Sequence, residues 1–597
     1  MLLKLQNILF PETGICDQGK LYYRINNKVH LNREERALDF EKKGAASFDT
    51  YFNSFSIEKW KKYTQIEQVR LVLVLQGEFE ITLQNKEKIN KIISNREHFS
   101  RRIRSETPQE FVFPFIPYEN KGLYCFKLEA FSEDARLFGG WYTTDLAEDQ
   151  LQEINIAINI CTFHREVFVQ RNLDTLSEKI LQNDKNELSG HAQVFISDNG
   201  KTLDIASLEN AKVHIVPNKN VGGAGGFTRN LIEIMHSPNY RATHVLFMDD
   251  DIIIEPESIY RTYMMLRCIK AEYRDAFIGG AMLRLDEPYL QVEAGAVWNV
   301  GKQFGLKKGL DLRYPDAVLY NEIEEYREYN AWWYCCMPMG LVNEENLPLP
   351  IFIRGDDVEY GLRSMKYLIL LNGICVWHEP FENKYSSYLI YYILRNYLYV
   401  NAIHCPQFNK RAVIKKLFRS TIKEILYYRY NNVELIERAL DDYLDGIDFL
   451  KNTDGEKLHR EIMDAGLKAE LVDELSIPFS AAQYEESLTV KQTGIGKILF
   501  PLTLNGMLLP AKGDRIVSMP LCCPANFYRA KRVLQYDATT GKGFVTEKSF
   551  MGMVRCIGKL VSMICRVIVK YDTAAKILRR DIKDVLTEDF WRNYLAI

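Results

Sequence analysis

Short apolar runs dominate the first 150 residues of the chain. Residues 71–75 form an apolar run before Gly77, and residues 78–83 alternate polar and apolar side chains after it. This pattern predicts two strands joined by a turn. Residues 111–113 and 123–128 predict further strands. We therefore expect a β-sandwich accessory domain at residues 1–150.

The pattern changes at about residue 155, where apolar strands begin to alternate with helical stretches. Predicted helices cover residues 166–183 and 228–236, and predicted strands cover 156–163, 193–197, 213–216 and 245–248. This alternation predicts a parallel α/β sheet, and ligands bind such sheets at the carboxyl ends of the strands. We expect this α/β domain to span residues 151–383.

Long helical periodicity follows at residues 386–403 and 412–450, and predicts a mainly helical domain at 384–597. Within it, residues 551–570 place four cations in a stripe about 60° wide on a helix. Two interpretations stay open: the helix lies on an anionic membrane, or it packs against its own domain or a neighbouring subunit with the stripe in water. The four cations are Arg555, Lys559, Arg566 and Lys570.

Composition narrows the class of protein. A chain of 597 residues is too long for a single hydrophobic core, so about three or four domains are expected. A net charge of -3 gives no global basic character for nucleic acid. The 12 cysteines form no C-x-x-C pair, which fits a reducing cytoplasm. We expect no signal peptide, and no apolar run reaches the roughly 18 residues of a membrane span.

Three consecutive carboxylates, Asp249, Asp250 and Asp251, end the apolar strand at 245–248. Adjacent carboxylates repel one another, so a cation is expected to compensate them. Side chains alternate along a strand, which puts Asp249 and Asp251 on the same side and Asp250 on the other. Mg²⁺ and Mn²⁺ commonly join such carboxylates to a substrate's phosphates. A solvated acidic turn is the alternative.

Four further motifs carry candidate chemistry. The glycine-rich segment 220–230 follows a strand and opens a helix, where backbone N–H groups can approach an anion, but it matches neither a kinase P-loop nor a dinucleotide fingerprint. The carboxylates at 356–357 suit a general base or a helix N-terminus. Trp332 and Trp333 suit a sugar site or a core. His378 ends an apolar run and suits a metal ligand or a structural role.

In this order along the chain, the motifs resemble those of inverting glycosyltransferases with the GT-A fold, in glycosyltransferase family 2. Within that family the chain is similar to the polymerising galactofuranosyltransferases of the mycobacterial galactan type, and the similarity covers essentially the whole chain. Trp332-Trp333 and Phe10-Pro11-Glu12-Thr13-Gly14 carry the resemblance to this subgroup. It implies a β-sandwich before a GT-A domain and a helical region after it.

The resemblance also implies roles for individual residues. Mn²⁺ or Mg²⁺ would be held by Asp249, Asp251 and His378. Asp357 would be the base, with Asp356 beside it. The uridine part of the donor would contact Arg165, Asp198, Asn220 and Asp250, and the sugar or acceptor would contact Trp332, Trp333 and Glu359.

The expected reaction moves galactofuranose from UDP-galactofuranose to a growing glycan or a lipid-linked acceptor by direct inverting displacement. The enzyme is expected in the cytoplasm, with a peripheral membrane contact and a homo-oligomer left open, and without a nucleic-acid partner. A rhamnosyl or galactopyranosyl donor is the nearest alternative. A metal-dependent nucleotidyltransferase and a non-catalytic carbohydrate-binding scaffold are alternatives from other classes.

Overall fold

The structure is a computed structural model that describes residues 2–115, 121–380, 385–489 and 503–597. The chain forms two compact units. The first comprises Met1–Asn218, Gly226–Asn346 and Tyr360–Glu379, and the second comprises Lys219–Gly225, Leu347–Glu359 and Pro380–Ile597. The predicted boundary near residue 150 stays a prediction, and the one at 383–384 lies outside the described residues.

The N-terminal region of the first unit is a nine-stranded sheet with one short helix. Its elements are β1 (Leu2–Asn7), β2 (Arg24–Ile25), β3 (Val29–Asn32), β4 (Ala37–Phe40), β5 (Ala45–Ser47), α1 (Ile57–Tyr63), β6 (Arg70–Ile89), β7 (Ile92–Pro114), β8 (Leu123–Ala130) and β9 (Ala135–Asp145).

Strand β6 connects two arms of this sheet. Its first part pairs with β9 and its second part with β8, while β7 pairs along its other edge. The change of partner falls at Gly77, whose φ is +97° and whose position would bring a Cβ within 2.7 Å of Ala135. The turn predicted at Gly77 is therefore wrong, because the strand continues through it with a bulge. The strands predicted at 111–113 and 123–128 are confirmed as parts of β7 and β8.

The second sheet of the first unit has ten strands and carries the α/β pattern. Its region contains β10 (Ile156–Thr162), α2 (Glu166–Leu176), β11 (Ala192–Asp198), α3 (Ile205–Leu208), β12 (Val213–Pro217), α4 (Gly222–Met235), β13 (His244–Asp249), β14 (Ile253–Ile254), α5 (Pro256–Arg267), β15 (Ala276–Arg284), β16 (Leu290–Glu293), β17 (Ala296–Asn299), β18 (Lys302–Gly305), β19 (Leu310–Asp311), α6 (Pro315–Glu322), β20 (Tyr334–Pro338), α7 (Asp356–Ser364) and β21 (Tyr367–His378).

The strand order in this sheet is β12-β11-β10-β13-β20-β15-β16-β19. The first four strands are parallel, which confirms the predicted pattern there. Beyond β13 the sheet is mixed, because β20 is antiparallel to both β13 and β15. The antiparallel strands β16, β19 and β20 lie between residues 276 and 338, where no strands were predicted.

The two sheets of the first unit are joined by buried polar contacts. Arg261 of α5 is 1% exposed and donates to the carbonyl of Phe52 at 2.7 Å. Asn7 donates its backbone N–H and its side-chain amide to the two carboxylate oxygens of Glu257, each at 2.7 Å. Lys59 is also buried, and donates to the carbonyl of Leu370 at 2.7 Å. These bonds satisfy charges that burial would otherwise penalise.

The C-terminal part of the second unit is helical with a small sheet. It contains α8 (Leu389–His404), α9 (Lys410–Leu426), α10 (Tyr430–Leu444), α11 (Gly446–Asn452), α12 (Gly455–Ala465), β22 (Glu470–Leu471), α13 (Ala481–Thr489), β23 (Arg515–Ser518), β24 (Arg532–Asp537), β25 (Lys542–Glu547), α14 (Phe550–Asp581) and α15 (Glu588–Leu595).

The predicted helical stretch 412–450 is three helices and not one, since the chain breaks at 427–429 and again at 445. The four-stranded sheet β22-β25-β24-β23 was not predicted. Its strands are two to six residues long, too short for a clear period-two pattern. Among helices in the described ranges, none combines the length and apolar character that crossing a bilayer requires.

Candidate active site

The carboxylates at the end of β13 lie beside His378, the last residue of β21. Nε2 of His378 is 3.2 Å from Oδ1 of Asp251 and 3.9 Å from Oδ2 of Asp249. One ligand atom from each of the three side chains falls within 4.8 Å of the others. Two carboxylates and one imidazole at this separation could hold a divalent metal ion.

The environment of His378 fits this role. Its Nδ1 lies 2.6 Å from the carbonyl oxygen of Glu379, and because a carbonyl can only accept, Nδ1 must donate. The other nitrogen, Nε2, then presents a lone pair toward the two carboxylates when the ring is neutral. The pKa of His378 reflects this position: burial lowers it, but the hydrogen bond and charge of Asp251 outweigh burial and raise it above the usual value.

Asp249 shows how strongly the site disfavours uncompensated negative charge. Burial raises the pKa of Asp249 to about 7, and the charges of Asp251 and Asp250 add to that effect while His378 opposes it. A carboxyl group in this setting gains by binding a cation in place of a proton. The donor set and its electrostatics therefore fit a divalent cation.

Arg165 supplies the compensating cation that the sequence predicted in general terms. Its Nη1 lies 2.9 Å from Oδ1 of Asp250 and 2.7 Å from Oδ2 of Asp251. Asp250 also accepts from the Thr162 hydroxyl at 2.7 Å. Asp250 thus points away from His378 and toward β10, as the alternation of side chains predicted. Its carboxylate is buried and engaged by Arg165 and Thr162.

Asp198 ends β11 and binds backbone groups of the loop that follows. Its carboxylate accepts N–H bonds from Gly200, Thr202 and Leu203 at 3.0, 2.7 and 2.8 Å. These bonds give the side chain a clear role in shaping the loop. A contact between Asp198 and a donor nucleotide stays a prediction.

Trp332 and Trp333 are both buried in the first unit. Trp332 stacks on Phe247 of β13 with ring centroids 4.4 Å apart, and the Trp333 indole donates to the carbonyl of Gly280 at 3.0 Å. This packing accounts for both rings without a ligand. Trp332 nonetheless touches the strand that ends in Asp249, so a role in shaping a sugar site stays a prediction.

The remaining predicted residues belong to the second unit. Asp356 and Asp357 open α7, which confirms the helix N-terminus interpretation. Burial raises the pKa of Asp357 to about 6, opposed by the Val358 N–H and the charge of Arg354. Glu359 is buried and lies 3.1 Å from Nε2 of His404 on α8. Asn220 accepts from the Gly222 N–H at 3.3 Å, at the start of α4.

The loop before α7 has an unusual backbone. Phe352, Arg354 and Gly355 have φ values of +75°, +69° and +95°. Asn396 of α8 holds this loop by donating to the carbonyls of Ile351, Ile353 and Arg354 at 3.0, 2.7 and 2.8 Å. Sequence reasoning missed Asn396 and His404, because each sits among apolar residues of a helix with no motif around it.

Comparisons with known proteins agree with the motifs. Residues 5–144 match the family model described as Galactofuranosyltransferase 2 N-terminal. The galactofuranosyltransferase GlfT2 of Mycolicibacterium smegmatis is 28% identical over 473 residues, which cover 74% of this chain and 71% of that protein. GlfT2 of Mycobacterium tuberculosis is 28% identical over 476 residues, covering 74% and 72%.

One solved structure that matches, the CBM22-GH10 modules of a Clostridium thermocellum xylanase, aligns with a TM-score of 0.17 at 6% identity over 32% of this chain and 38% of its own. The two GlfT2 similarities and the family model confirm the resemblance drawn from the motifs, and they show a glycosyltransferase whose sequence is similar to that of GlfT2.

Proposed function

We propose that this glycosyltransferase moves galactofuranose from UDP-galactofuranose to a growing glycan or lipid-linked acceptor. The similarity to two GlfT2 proteins over 74% of the chain is the observation that carries the proposal. We further propose a GT-A catalytic domain at 151–383, an N-terminal β-sandwich at 1–150 and a mainly helical C-terminal domain. The parallel order β12-β11-β10-β13, with carboxylates at the end of β13, supports the GT-A assignment.

In the proposed mechanism, Asp249, Asp251 and His378 would hold Mn²⁺ or Mg²⁺. Such an ion would supply positive charge against the diphosphate of the leaving UDP. Arg165 fixes Asp250 and Asp251, and so keeps the carboxylates in place. Further proposed donor contacts come from Arg165, Asp198, Asn220 and Asp250, and sugar or acceptor contacts from Trp332, Trp333 and Glu359.

Asp357 is the proposed base, with Asp356 beside it. The acceptor oxygen forms a bond to the anomeric carbon, the bond from that carbon to the UDP oxygen breaks with its electron pair, and the hydroxyl proton passes to Asp357. Configuration at the anomeric carbon inverts. With a pKa of about 6, Asp357 is ionised at neutral pH. This pKa is also close to neutral pH, which favours proton transfer by a general base.

A donor screen tests the assignment. Purified protein is incubated with Mn²⁺, a galactofuranose-ended acceptor and, in separate reactions, UDP-galactofuranose, UDP-galactopyranose, dTDP-rhamnose or a nucleoside triphosphate. We expect product only with UDP-galactofuranose. Transfer from dTDP-rhamnose or UDP-galactopyranose would replace the donor assignment, and triphosphate consumption would favour a nucleotidyltransferase.

A further inference from the structure

Three of the four cations predicted to form a stripe on α14 pair directly with carboxylates of α10. Arg555 pairs with Glu434 at 2.9 Å, and Arg566 pairs with Glu437 at 2.7 Å. Lys559 also pairs with Glu437. The stripe that was expected to face lipid or water therefore faces α10, and packing of this helix against its own domain is confirmed.

Arg395 of α8, in the same unit, is a buried cation without such a partner. It is 2% exposed, and no carboxylate of a described residue lies within 4.0 Å of its guanidinium. Nη1 donates to the Tyr391 hydroxyl at 3.1 Å, and that hydroxyl donates to Asp442 at 2.5 Å. Asp442 is itself paired with Arg438 at 2.7 Å. The two arginines therefore share one buried carboxylate.

The guanidinium of Arg395 has more N–H groups than its contacts use. Nε donates to Oδ1 of Asn396 at 3.0 Å, and Nη2 donates to the carbonyl of Ile351 at 2.7 Å. With the bond to Tyr391, these contacts use three of the five N–H groups that an arginine carries. The rings of Tyr391 and Phe449 lie 5.0 and 5.6 Å from the guanidinium and offset part of its charge. A buried charge without a full ionic partner is costly, so this position favours an anion.

A cavity of about 240 Å³ lies beside Arg395 within the second unit. Its walls include Phe352, Phe449, Leu450 and the half-buried Thr453, and of the described residues that line it Arg395 alone is charged. The cavity is smaller than the roughly 300–1,000 Å³ that is typical of sites for drug-sized ligands. Its size and its single positive charge suit a small inorganic anion and not a nucleotide sugar.

We propose that this cavity is a binding site for a small inorganic anion such as chloride, held by the guanidinium of Arg395. The anion supplies the negative charge that the described surroundings of Arg395 lack, and it accepts from the N–H groups that the contacts above do not use. Nη2 also holds the carbonyl of Ile351, at the start of the strained loop that leads to Asp356 and Asp357. Binding of the anion therefore also steadies this loop, and its effect on transfer rests on the proposed role of Asp357 as the base.

Thermal unfolding at constant ionic strength tests the binding. The full chain is kept in sodium gluconate, whose anion is too bulky for the cavity, and chloride replaces gluconate stepwise. We expect Tm to rise by about 1–3 °C and then to level off, because a ligand that binds only the folded state stabilises it. A parallel series with phosphate distinguishes a halide from an oxyanion.

The variant Thr453→Glu supplies an internal carboxylate at the cavity wall. This carboxylate should pair with Arg395 in place of the anion, so the rise of Tm with chloride should disappear. The matched control Asn452→Glu adds the same charge one position earlier, at an exposed residue that does not line the cavity, and should keep the rise. In gluconate, Thr453→Glu should unfold at a higher temperature than the control. Arg395 itself is left unchanged, because its replacement would also remove three hydrogen bonds.

The chloride NMR linewidth gives a direct readout in the same samples. The unchanged chain and Asn452→Glu should broaden the chloride line, and Thr453→Glu should not. The proposal is overturned if neither chloride nor phosphate raises the Tm of the unchanged chain, or if Thr453→Glu keeps as large a rise as Asn452→Glu. A rise with phosphate alone would keep the site and make its ligand an oxyanion.

Transfer from UDP-galactofuranose is a separate readout. In the unchanged chain, kcat should rise about two- to threefold as chloride replaces gluconate, with little change in KM for the donor. In Thr453→Glu, kcat should not depend on chloride. Chloride binding without an effect on kcat would overturn the link between the cavity and the loop. Absence of transfer from UDP-galactofuranose would overturn the donor assignment and leave the binding result as it stands.

Discussion

At the scale of single residues, the three carboxylates at the end of β13 contact two different groups. Asp249 and Asp251 lie beside His378, whereas Asp250 accepts from Thr162 and Arg165. Asp251 contacts both His378 and Arg165, because its second carboxylate oxygen lies 2.7 Å from Nη1 of Arg165. Arg165 therefore offsets the charge of Asp250 and also of one predicted metal ligand.

The variant Asp251→Ala should lose divalent-dependent transfer and keep its fold. Removing this side chain takes away one of three donor groups and one partner of Arg165. Calorimetric titration with Mn²⁺ should show loss of binding while the thermal midpoint of unfolding stays near that of Asp275→Ala, an exposed control. Turnover with Mn²⁺ equal to that of the control would mean that the three side chains are not the metal site.

The variant Asp357→Asn should lower kcat by about 10²-fold or more with little change in donor affinity, because general-base removal costs on this order. Loss of donor binding with kcat retained would make Asp357 a donor ligand.

The pH profile gives a second test of Asp357. Burial raises its pKa to about 6, so the carboxylate is protonated below that pH and ionised above it. A base must be ionised to accept a proton, and kcat should therefore rise with pH through about 6 and then level off. In Asp357→Asn this rise should be absent. An unchanged rise in the variant would assign it to another group.

The side chain of Asn396 should position the loop that leads into α7. Its amide donates to three carbonyls of that loop, a pattern that a carboxylate cannot reproduce. We expect Asn396→Asp to destabilise the protein by about 1–3 kcal/mol, the cost of unpaired buried groups. Because the loop is strained, kcat should fall as well. Asn452→Asp, an exposed change in α11, is the control for charge alone, and equal kcat in the two variants would remove the positioning role.

At the scale of elements, close packing explains part of the glycine-rich segment. A Cβ on Gly226 would lie 2.1 Å from Sγ of Cys161 and 2.8 Å from Oγ of Ser197, so α4 sits directly on β10 and β11. Gly222 has a φ of +73° and a carbonyl at 2.2 Å from the Cβ position. The glycine-rich segment 220–230, which suggested anion binding, therefore also allows α4 to pack closely on its neighbours.

The variant Gly226→Ala should lower stability by about 1–3 kcal/mol, the usual cost of overpacking. Differential scanning calorimetry should show a lower Tm, with Gly190→Ala as the control, because a Cβ at Gly190 meets nothing within 4 Å. Adding Cys161→Ala should restore part of the loss. A Tm unchanged from the control would show that the helix shifts away at little cost.

The sequence predicted the strands and carboxylates of the parallel half-sheet, because apolar runs of four to eight residues with polar ends are local signals. It missed the course of β6 through Gly77, since a bulge and a turn look alike without the partner strands. It also missed that Arg555, Lys559 and Arg566 pair with α10. That contact joins residues more than 120 positions apart, and nothing in the local pattern of α14 encodes it.

At the scale of the whole molecule, the similarity to GlfT2 extends over about three quarters of the chain, so it is not confined to one of the three predicted domains. Within the first unit, the N-terminal region and the α/β region share buried polar contacts. Lys59 of α1 lies 3.5 Å from Glu322 of α6, and both side chains are buried. Arg261 and Glu257, which pair within α5, also bond to Phe52 and Asn7 of the N-terminal region.

These buried contacts predict how the chain responds to truncation. A piece that begins after residue 150 would leave Glu257, Glu322 and Arg261 without the Asn7, Lys59 and Phe52 groups that satisfy them. The N-terminal region is therefore needed to satisfy buried polar groups of the α/β region, and we do not expect the α/β region to fold stably without it. A chimaera of two such enzymes must therefore exchange the residues on both sides of these contacts together.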